Sequence, residues 1–480
     1  MKFVLLWTDV ALWLMAAAVL AYAWRVKSQA HLRATWERVL RDPVAASAGV
    51  VMALFLLVTL ADSLHLRRAL PTTDGSTVYD TRTLSALDLL LERQIAMREV
   101  SYSVPLGTHG FNKESLTDAQ GQVVREYPRL KFGGAHLDDP ATQWAGDVAG
   151  RVVAGVAGAA VVIALLFALT TAVLARHHGG WRQAQRDLLA DRTHYPWRAM
   201  LLTLAVVALL VGPTLALMGH YHVLGTDRTG NDVLVQALKS VRTAFVIGAL
   251  STLATLPLAL LLGVLAGYYK GWVDEVIQYL YTTLSSVPNV LLIAACVLMV
   301  QVFLDKNPDL FETAVERSDL KMLMLCLILG LTGWAGLCRL VRAETLKLRE
   351  LDYVQAATAF GVGDLTIMAR HILPNVMHLV LITVVLSFSE LILYEAVLTY
   401  VGVGVDPTTS SFGGMINLAR SEMSRDPVVW WSFAAAFGFM VSLVLAANLF
   451  ADGVRDAFDP KARSTRPRIV SKQRKAVEHA

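Results

Sequence analysis

The chain has 480 residues, of which 55% are hydrophobic and only 17% are charged, and its mean hydropathy is +0.50. A soluble globular domain usually has about 25% charged residues and about 45–50% apolar residues, so this composition excludes most soluble classes. The net charge of +4 does not indicate a nucleic-acid partner, because the basic residues lie mostly in short segments between apolar stretches. The composition predicts an integral membrane protein.

Stretches of about 20 nearly uncharged residues recur along the chain, and each is long enough to cross a hydrocarbon core about 30 Å thick. They are predicted near residues 4–23, 45–64, 152–175, 199–218, 244–268, 286–304, 321–341, 376–402 and 428–451. The predicted fold class is therefore an all-α polytopic membrane protein with about nine transmembrane helices. The first stretch lacks a small-residue cleavage site, which favours a retained span over a signal peptide.

Lys and Arg residues in short loops resist translocation and so indicate the cytoplasmic side. The loops after the first and third spans are rich in Arg, and the C-terminal segment after Asp452 is strongly basic. All three are predicted to be cytoplasmic. Nine spans with a cytoplasmic C-terminus place the N-terminus outside the cell membrane.

The external segment, residues 65–146, is then predicted to lie outside the membrane. A helix is predicted over Thr83 to Val100 because leucines and Ile95 recur on one helical face. The segment has no cysteine, so it must pack on the spans or on a partner, or remain mobile. The three cysteines of the chain lie in apolar stretches without metal-ligand spacing.

Motifs for catalysis are missing from the sequence. It contains no GxxxxGK[ST] phosphate loop, no HExxH and no GxSxG, and the paired His177 and His178 have no third ligand nearby. We therefore predict no catalytic residue, no metal and no cofactor. Within the spans the ionisable residues are few: Asp9, Glu390 and Glu395. Glu390 and Glu395 lie about 140° apart on a helix, so each is expected to bond to a neighbour or to line a water-filled path.

The polar segment 342–375, between the seventh and eighth predicted spans, is too long and too helix-prone for a simple turn. A short helix is predicted from Leu351, with small residues that permit close packing and Gly361 as its stop. The next span is predicted to begin at Leu373-Pro374. A short helix held between two spans can transmit a push from a soluble partner.

The same segment resembles the "EAA" coupling loop of the membrane subunits of bacterial ABC importers. The resemblance rests on Gln355-Ala356-Ala357, Gly361 and Leu373-Pro374, with Gln355 in place of the usual Glu and His371 in place of the usual Ile. It implies that this loop contacts an ATPase subunit. The implied coupling residues are Tyr353, Gln355, Ala356, Ala357, Gly361, Asp364, Leu373 and Pro374.

Other blocks resemble the C-type permease subunit of dipeptide, oligopeptide and nickel importers. They are LGTDRTGNDV (224–233), GVLAGYYKGWVDEVIQYLYTTLSSVPNVLL (263–292), YEAVLTYVGVGVDPTTSSFGGMI (394–416) and NLFADGVRDAFDP (448–460). Gly225, Thr226, Asp227 and Asp232 are expected to form a capped turn that opens a helix, because Thr and Asp suit N-cap positions. Pro288, Gly402 and Gly404 are expected to shape bends near the pathway.

The resemblance covers residues 199–463 and implies that the last six spans form a type I ABC permease core. The predicted division is 1–64 (two spans), 65–146 (external segment), 147–198 (third span and cytoplasmic linker), 199–463 (core) and 464–480 (basic tail). The implied partners are a homologous second permease subunit, two cytoplasmic ATPase subunits, an extracytoplasmic solute-binding protein and membrane lipid, in the bacterial inner membrane.

The resemblance implies import of di- or oligopeptides, with nickel or a peptide-like antibiotic as alternative solutes. A self-contained secondary transporter or channel is the alternative from another class. That class predicts many buried charges and an internal repeat, and the sparse charges within the spans disfavour it.

Overall fold

The computed structural model describes residues 2–70, 78–117, 123–176, 180–311 and 313–458. Its helices are α1 (Trp7–Ser28), α2 (Ala30–Arg41), α3 (Pro43–Asp62), α4 (Ala86–Leu90), α5 (Glu92–Ala96), α6 (Pro140–Ala175), α7 (Trp181–Leu189), α8 (Trp197–Leu217), α9 (Val233–Tyr269), α10 (Gly271–Ser286), α11 (Asn289–Lys306), α12 (Ala314–Arg349), α13 (Asp352–Ala359), α14 (Asp364–Ile367), α15 (Leu373–Tyr400), α16 (Phe412–Glu422) and α17 (Trp431–Phe458). A π-turn, Met368–Ile372, joins α14 to α15. The paired His177 and His178 and the basic tail 464–480 lie outside the described residues.

Nine membrane-crossing helices are present in the described ranges: α1, α3, α6, α8, α9, α11, α12, α14 continued by α15, and α17. This confirms the all-α polytopic fold and the predicted number of spans. Several helices are longer than predicted, because they continue past the apolar stretch. The 37 residues of α9 extend about 55 Å at 1.5 Å per residue, well beyond a hydrocarbon core about 30 Å thick.

Helices α9 and α12 pack closely along their length, and glycines make this approach possible. A Cβ atom added to Gly263 would lie 2.8 Å from the Val341 side chain, and one added to Gly267 would lie 2.6 Å from Thr345. No side chain larger than a hydrogen fits at these positions. Small residues let membrane helices come close enough for extensive van der Waals contact.

The external segment and the strand before α1 form two small antiparallel sheets that the sequence analysis did not predict. The first contains β1 (Lys2–Val4), β2 (His65–Leu70) and β3 (Val78–Ser85) in that order, and the second contains β4 (Glu114–Thr117) and β5 (Val123–Glu126). Because β1 pairs with β2, the N-terminus and the external segment share one face of the helix bundle. We call this the outer face.

The helix predicted over Thr83–Val100 is confirmed only in part, because a strand end and two short helices take the place of one continuous helix. The first residues of that range belong to β3, where Leu84 pairs with Leu66 of β2. Ser85 then accepts a hydrogen bond from the Asp88 backbone N–H and caps α4, and α5 follows as a second short helix. The helical spacing of apolar residues is present in the sequence, but the residues of its first turn pair with β2 as part of a strand instead.

A buried ionic cluster attaches α1 to α9 and α12 near the outer face. Asp9 accepts hydrogen bonds from Arg242 of α9 at 2.6 Å and from His65 at 2.7 Å. The neighbouring Thr8 donates its backbone N–H to Asp319 of α12 at 3.0 Å. Asp9, Arg242 and Asp319 are each less than 10% exposed. The first helix therefore supplies charge that offsets a buried arginine of the core.

We expect Asp9→Asn to lower the free energy of unfolding by about 3 kcal/mol, because breaking a buried ion pair leaves an uncompensated charge. Breaking a buried ion pair usually costs about 3–5 kcal/mol. We expect the lower value because Asp319 stays 3.8 Å from Arg242 and still offsets part of its charge. Denaturant unfolding in detergent measures the change. The exposed Asp138→Asn is the matched control and should change stability by less than about 0.5 kcal/mol. Equal losses in both variants would contradict the assignment.

Candidate functional site

Helix α13 lies at the face opposite the external segment, which we call the coupling face. Helix α9 runs between the two faces, from Asp232 at its outer end to Lys270. Lys270 pairs with Glu350, directly before α13, at 2.7 Å. Arg342 of α12 forms a two-pronged ion pair with Asp274 of α10 at 2.5 and 2.6 Å. The first part of the predicted loop 342–375 therefore belongs to α12, which extends to Arg349.

One buried residue anchors α13. Val354 is 1% exposed and packs in a cluster with Ile367, Ile372 and other residues of α9, α12 and α15. Ala357 is half-buried against the same cluster, whereas Gln355 and Ala356 are exposed. The helix therefore rests on the bundle by one side only.

Polar contacts hold the rest of the loop. Tyr353 is exposed, and its hydroxyl accepts a hydrogen bond from the Asn375 amide at 3.1 Å. The Gln355 amide donates to the Glu350 carbonyl at 3.2 Å, and Tyr268 of α9 donates its hydroxyl to Asp364 at 2.9 Å. The loop therefore has direct contacts to both α9 and α15.

Gly361 ends α13 in the left-handed region, with φ of +75°. The Gly361 and Val362 N–H groups donate to the carbonyls of Thr358 and Ala357 at 3.0 and 3.1 Å, which satisfies the helix C-terminus. Leu373 and Pro374 begin α15, directly after the π-turn Met368–Ile372. The eight predicted coupling residues thus lie within one segment at the coupling face, with Ala357 and Leu373 packed toward the bundle and Gln355, Ala356 and Pro374 exposed.

Several apolar side chains of this loop are exposed. Phe360 is 88% exposed, Leu365 is 76% exposed and Leu351 and Tyr353 are each 43% exposed. We call these four residues the coupling patch. A group of exposed apolar side chains that lipid does not cover is typical of a protein interaction site.

A second site lies at the outer face, where Gly225 to Asp232 form a tight turn before α9. Gly225 has φ of +71°, and Thr226 is fully buried with its hydroxyl donated to the Ser101 carbonyl at 2.8 Å. The Asp227 carboxylate accepts the Thr229 N–H at 2.8 Å. Asp232 caps α9 by accepting the Leu234 N–H at 2.8 Å. The turn is thus tied to the external segment.

Charged residues join the turn to the external segment. His222 is 1% exposed; its Nδ1 lies 2.9 Å from Asp232 and its Nε2 lies 3.6 Å from Glu99. Glu99 also accepts three backbone N–H bonds, from residues 131–133, at 2.8–3.1 Å. Burial alone would lower the pKa of His222, but the two carboxylates raise it to about 9. Burial alone would raise the pKa of Glu99, but His222 and the backbone donors lower it to about 2. Both groups are therefore charged at neutral pH.

A cavity of about 640 Å³ opens beside this turn. Its walls come from residues 82–98 of the external segment, from 227–239 and from 399–418, and Gln301 and Lys321 of α11 and α12 also line it. We call it the outer cavity. The cavity brings together Asp227, Asp232 and Gly402 from the predicted site residues.

The loop after α15 folds back onto that helix. Gly402 has φ of +89°, and a Cβ atom on Gly404 would collide with the Thr399 hydroxyl. Thr399 donates this hydroxyl to Glu395 at 2.8 Å, and Glu395 is fully buried. Glu395 therefore stabilises the wall of the outer cavity rather than lining it.

Glu390 lies on the other side of α15 and is exposed, without a hydrogen bond or ion pair to any described residue. Pro288 is the N-cap of α11 and sets the bend between α10 and α11. Neither residue lines the outer cavity or contributes to the coupling patch.

Sequence reasoning missed Glu99, His222 and Arg242 because their partners lie far along the chain. The only local signal was an ionisable residue in or beside an apolar stretch. The described residues contain no group of three His, Cys, Asp or Glu side chains arranged to hold a metal ion.

The helix bundle defines a multi-pass membrane protein. The family described as "Binding-protein-dependent transport system inner membrane component" matches residues 259–464. The chain belongs to this family, and it is a transport subunit rather than an enzyme. This confirms the resemblance to peptide permeases of ABC importers.

Two curated relatives support this assignment. The oligopeptide transport system permease protein OppC of Mycobacterium tuberculosis (strain ATCC 25618 / H37Rv) is 31% identical over 248 residues, which cover 52% of this chain and 79% of the relative. The glutathione transport system permease protein GsiD of Pectobacterium atrosepticum is 34% identical over 244 residues, which cover 51% and 74%. A solved chain of the MetNI methionine ABC transporter, in an inward-facing conformation, covers 47% of this chain and 96% of its own at 14% identity, with a TM-score of 0.34, too weak a likeness to carry an argument.

The docking of the external segment should depend on pH. His222 has a raised pKa, so its contribution is complete below about pH 6.5 and is lost as pH rises through about 9. Glu99 has a lowered pKa, so its contribution is complete above about pH 4.5 and is lost as pH falls through about 2. We expect His222→Gln to reduce thermal stability at pH 6.5 and to have a smaller effect at pH 9.5. The exposed His109→Gln should show no such trend, and a pH-independent effect of His222→Gln would contradict the charge assignment.

Gly361→Ala should weaken the end of α13 by about 1–2 kcal/mol, the cost of an L-residue in the left-handed region. The cause is the backbone alone, because no atom lies within 4 Å of the added Cβ. Hydrogen exchange at Val362 should then accelerate by about 5–30-fold. Gly363→Ala is the matched control, since Gly363 has φ of −64° and equally open space. Equal exchange in the two variants would contradict the strain argument.

Proposed function

We propose that the chain is one of two homologous permease subunits of an ATP-driven importer for di- or oligopeptides in the bacterial inner membrane. It forms half of the translocation pathway. Its N-terminus and outer face lie outside, and its C-terminus and coupling face lie in the cytoplasm. An extracytoplasmic binding protein delivers the solute, and two ATPase subunits bind the coupling faces of the permease pair.

The observation that carries this proposal is the coupling patch, which lies on and beside a helix that packs on the bundle through Val354 and Ala357 on one side only. An ATPase subunit that covers Phe360 and Leu365 would bury two side chains now largely in solvent. Motion of the ATPase would pass through the Tyr268–Asp364 and Lys270–Glu350 contacts to α9. Movement of a packed helix pair as a rigid body is a common basis of alternating access.

The exposed face of α15 supports a position beside the pathway. Leu386, Glu390, Leu393 and Val397 follow one another along this face, and all are exposed. A carboxylate exposed to lipid is costly, so Glu390 indicates a face covered by the second subunit or by water. This interpretation assigns Glu390 to the pathway and Glu395 to the cavity wall.

The names of the relatives support a peptide solute. One is an oligopeptide permease and another is a glutathione permease, and glutathione is itself a small peptide-like molecule. The loop charges support the orientation. The segments around α2 and α7 are rich in Arg, and short loops rich in Arg stay on the cytoplasmic side.

Phe360→Asp tests the coupling role. A charge at the centre of an apolar contact should reduce ATPase affinity by about 2 kcal/mol or more, which is about 30-fold. We expect the tagged, detergent-solubilised chain to lose its ATPase subunits on purification and cells to lose peptide uptake, while the amount of chain in the membrane stays unchanged.

Phe360→Leu is the matched control, because it keeps an apolar side chain at the same position and should retain both ATPase binding and uptake. Normal ATPase binding and uptake by Phe360→Asp would rule out the coupling patch as the docking site.

A further inference from the structure

The outer cavity is built jointly by the permease core and by residues that precede the family match. Residues 82–98 form one wall, and they lie far outside the matched range 259–464. A volume of about 640 Å³ is in the range of small-molecule sites, which extends over roughly 300–1,000 Å³. The size of the cavity and its position at the outer end of α9 suit a small solute.

Most charges that line the cavity already have partners. Lys239 pairs with Asp88 at 2.7 Å, and Lys321 lies 3.9 Å from Asp406. Asp232 pairs with His222, as described above. These charges largely cancel one another, so they give the cavity little preference for either sign.

Two further arginines give the cavity lining an excess of positive charge. Arg82 and Arg98 line the cavity, and neither forms an ion pair with a carboxylate among the described residues. The remaining acid, Asp227, accepts hydrogen bonds from the N–H groups of Thr229 and Asn231 at 2.8 and 2.9 Å, so its charge is stabilised within its own turn. The cavity therefore has two cationic groups available to an anion.

Arg98 is held in a defined position. Its Nε donates to the Thr229 carbonyl at 2.9 Å, which leaves the two terminal nitrogens available to a ligand. The adjacent Glu99 is fixed to the core by its own N–H, which donates to the Gly230 carbonyl at 3.0 Å. Gly230 has φ of +77° and no room for a Cβ atom against the Glu99 carbonyl. The backbone at Arg98 is thus attached directly to the turn that opens α9.

We propose that the outer cavity binds the C-terminal carboxylate of the solute peptide, and that Arg98 is the residue that contacts it. This inference rests on the proposed function, since it takes the solute to be a peptide. A planar guanidinium with two free terminal nitrogens matches a carboxylate in a two-pronged arrangement. The external segment then acts as a solute-recognising wall of the permease entrance.

The test compares trialanine with trialanine amide, which lacks the terminal carboxylate, in cells that express the complete transporter. Arg98→Gln should raise the KM for trialanine uptake about tenfold or more, as expected for loss of a hydrogen-bonded charge pair. The KM for the amide should not change. Discrimination by the binding protein is identical in the two strains, so it cancels when their acid-to-amide ratios are compared.

Arg68→Gln is the matched control, because Arg68 lies on the same segment, pairs with Glu92 at 2.8 Å and does not line the cavity. It should leave the ratio unchanged. An unchanged ratio in Arg98→Gln, or an equal loss of uptake for both peptides, would overturn the inference and leave peptide import intact. Uptake of neither peptide by the wild type, above a strain that lacks the chain, would overturn the proposed function and this inference with it.

Discussion

The close packing of α9 against α12 is the contact on which both sites depend. Lipid tails are as apolar as the helices, so helices in a bilayer associate through van der Waals contact and polar bonds rather than through the hydrophobic effect. Gly263, Gly267 and Gly330 remove the side chains that would hold the two helices apart. Since α9 begins at the outer cavity and ends beside α13, this packed pair directly connects the outer cavity to the coupling patch.

The first three spans are part of this structure rather than an appendage to it. Arg242 lies in the core helix α9, yet its nearest carboxylate, Asp9, belongs to α1. Glu99 of the external segment similarly supplies a carboxylate near the buried His222. A buried charge is tolerated only when it is paired and hydrogen-bonded. The core of this protein has therefore come to depend on charges from the residues before it.

Local patterns in the sequence predicted what local physics determines. The length of the apolar stretches was enough to predict the nine spans. Gly361 was enough to predict the end of α13, because the left-handed conformation after a helix strongly favours glycine. Asp232 likewise lies at the N-cap of α9, where its side chain suits the free N–H groups.

The features that escaped prediction depend on distant partners. The β3 strand forms because Leu84 meets Leu66 across a sheet, and a helical apolar period cannot reveal that pairing. The roles of three charged residues, His222, Arg98 and Arg242, depend on contacts to distant segments. A single sequence does not show which segments meet.

The ionic cluster at Asp9 also constrains the order in which the chain is assembled. Arg242 lies 233 residues after Asp9 in the sequence, and Asp319 lies 311 residues after Thr8. Until those residues are synthesised, α1 holds an aspartate near the membrane surface without its arginine. Strand β1 likewise cannot pair until β2 has reached the same side of the membrane. The ionic contacts of α1 can therefore form only after the chain has been synthesised through Asp319.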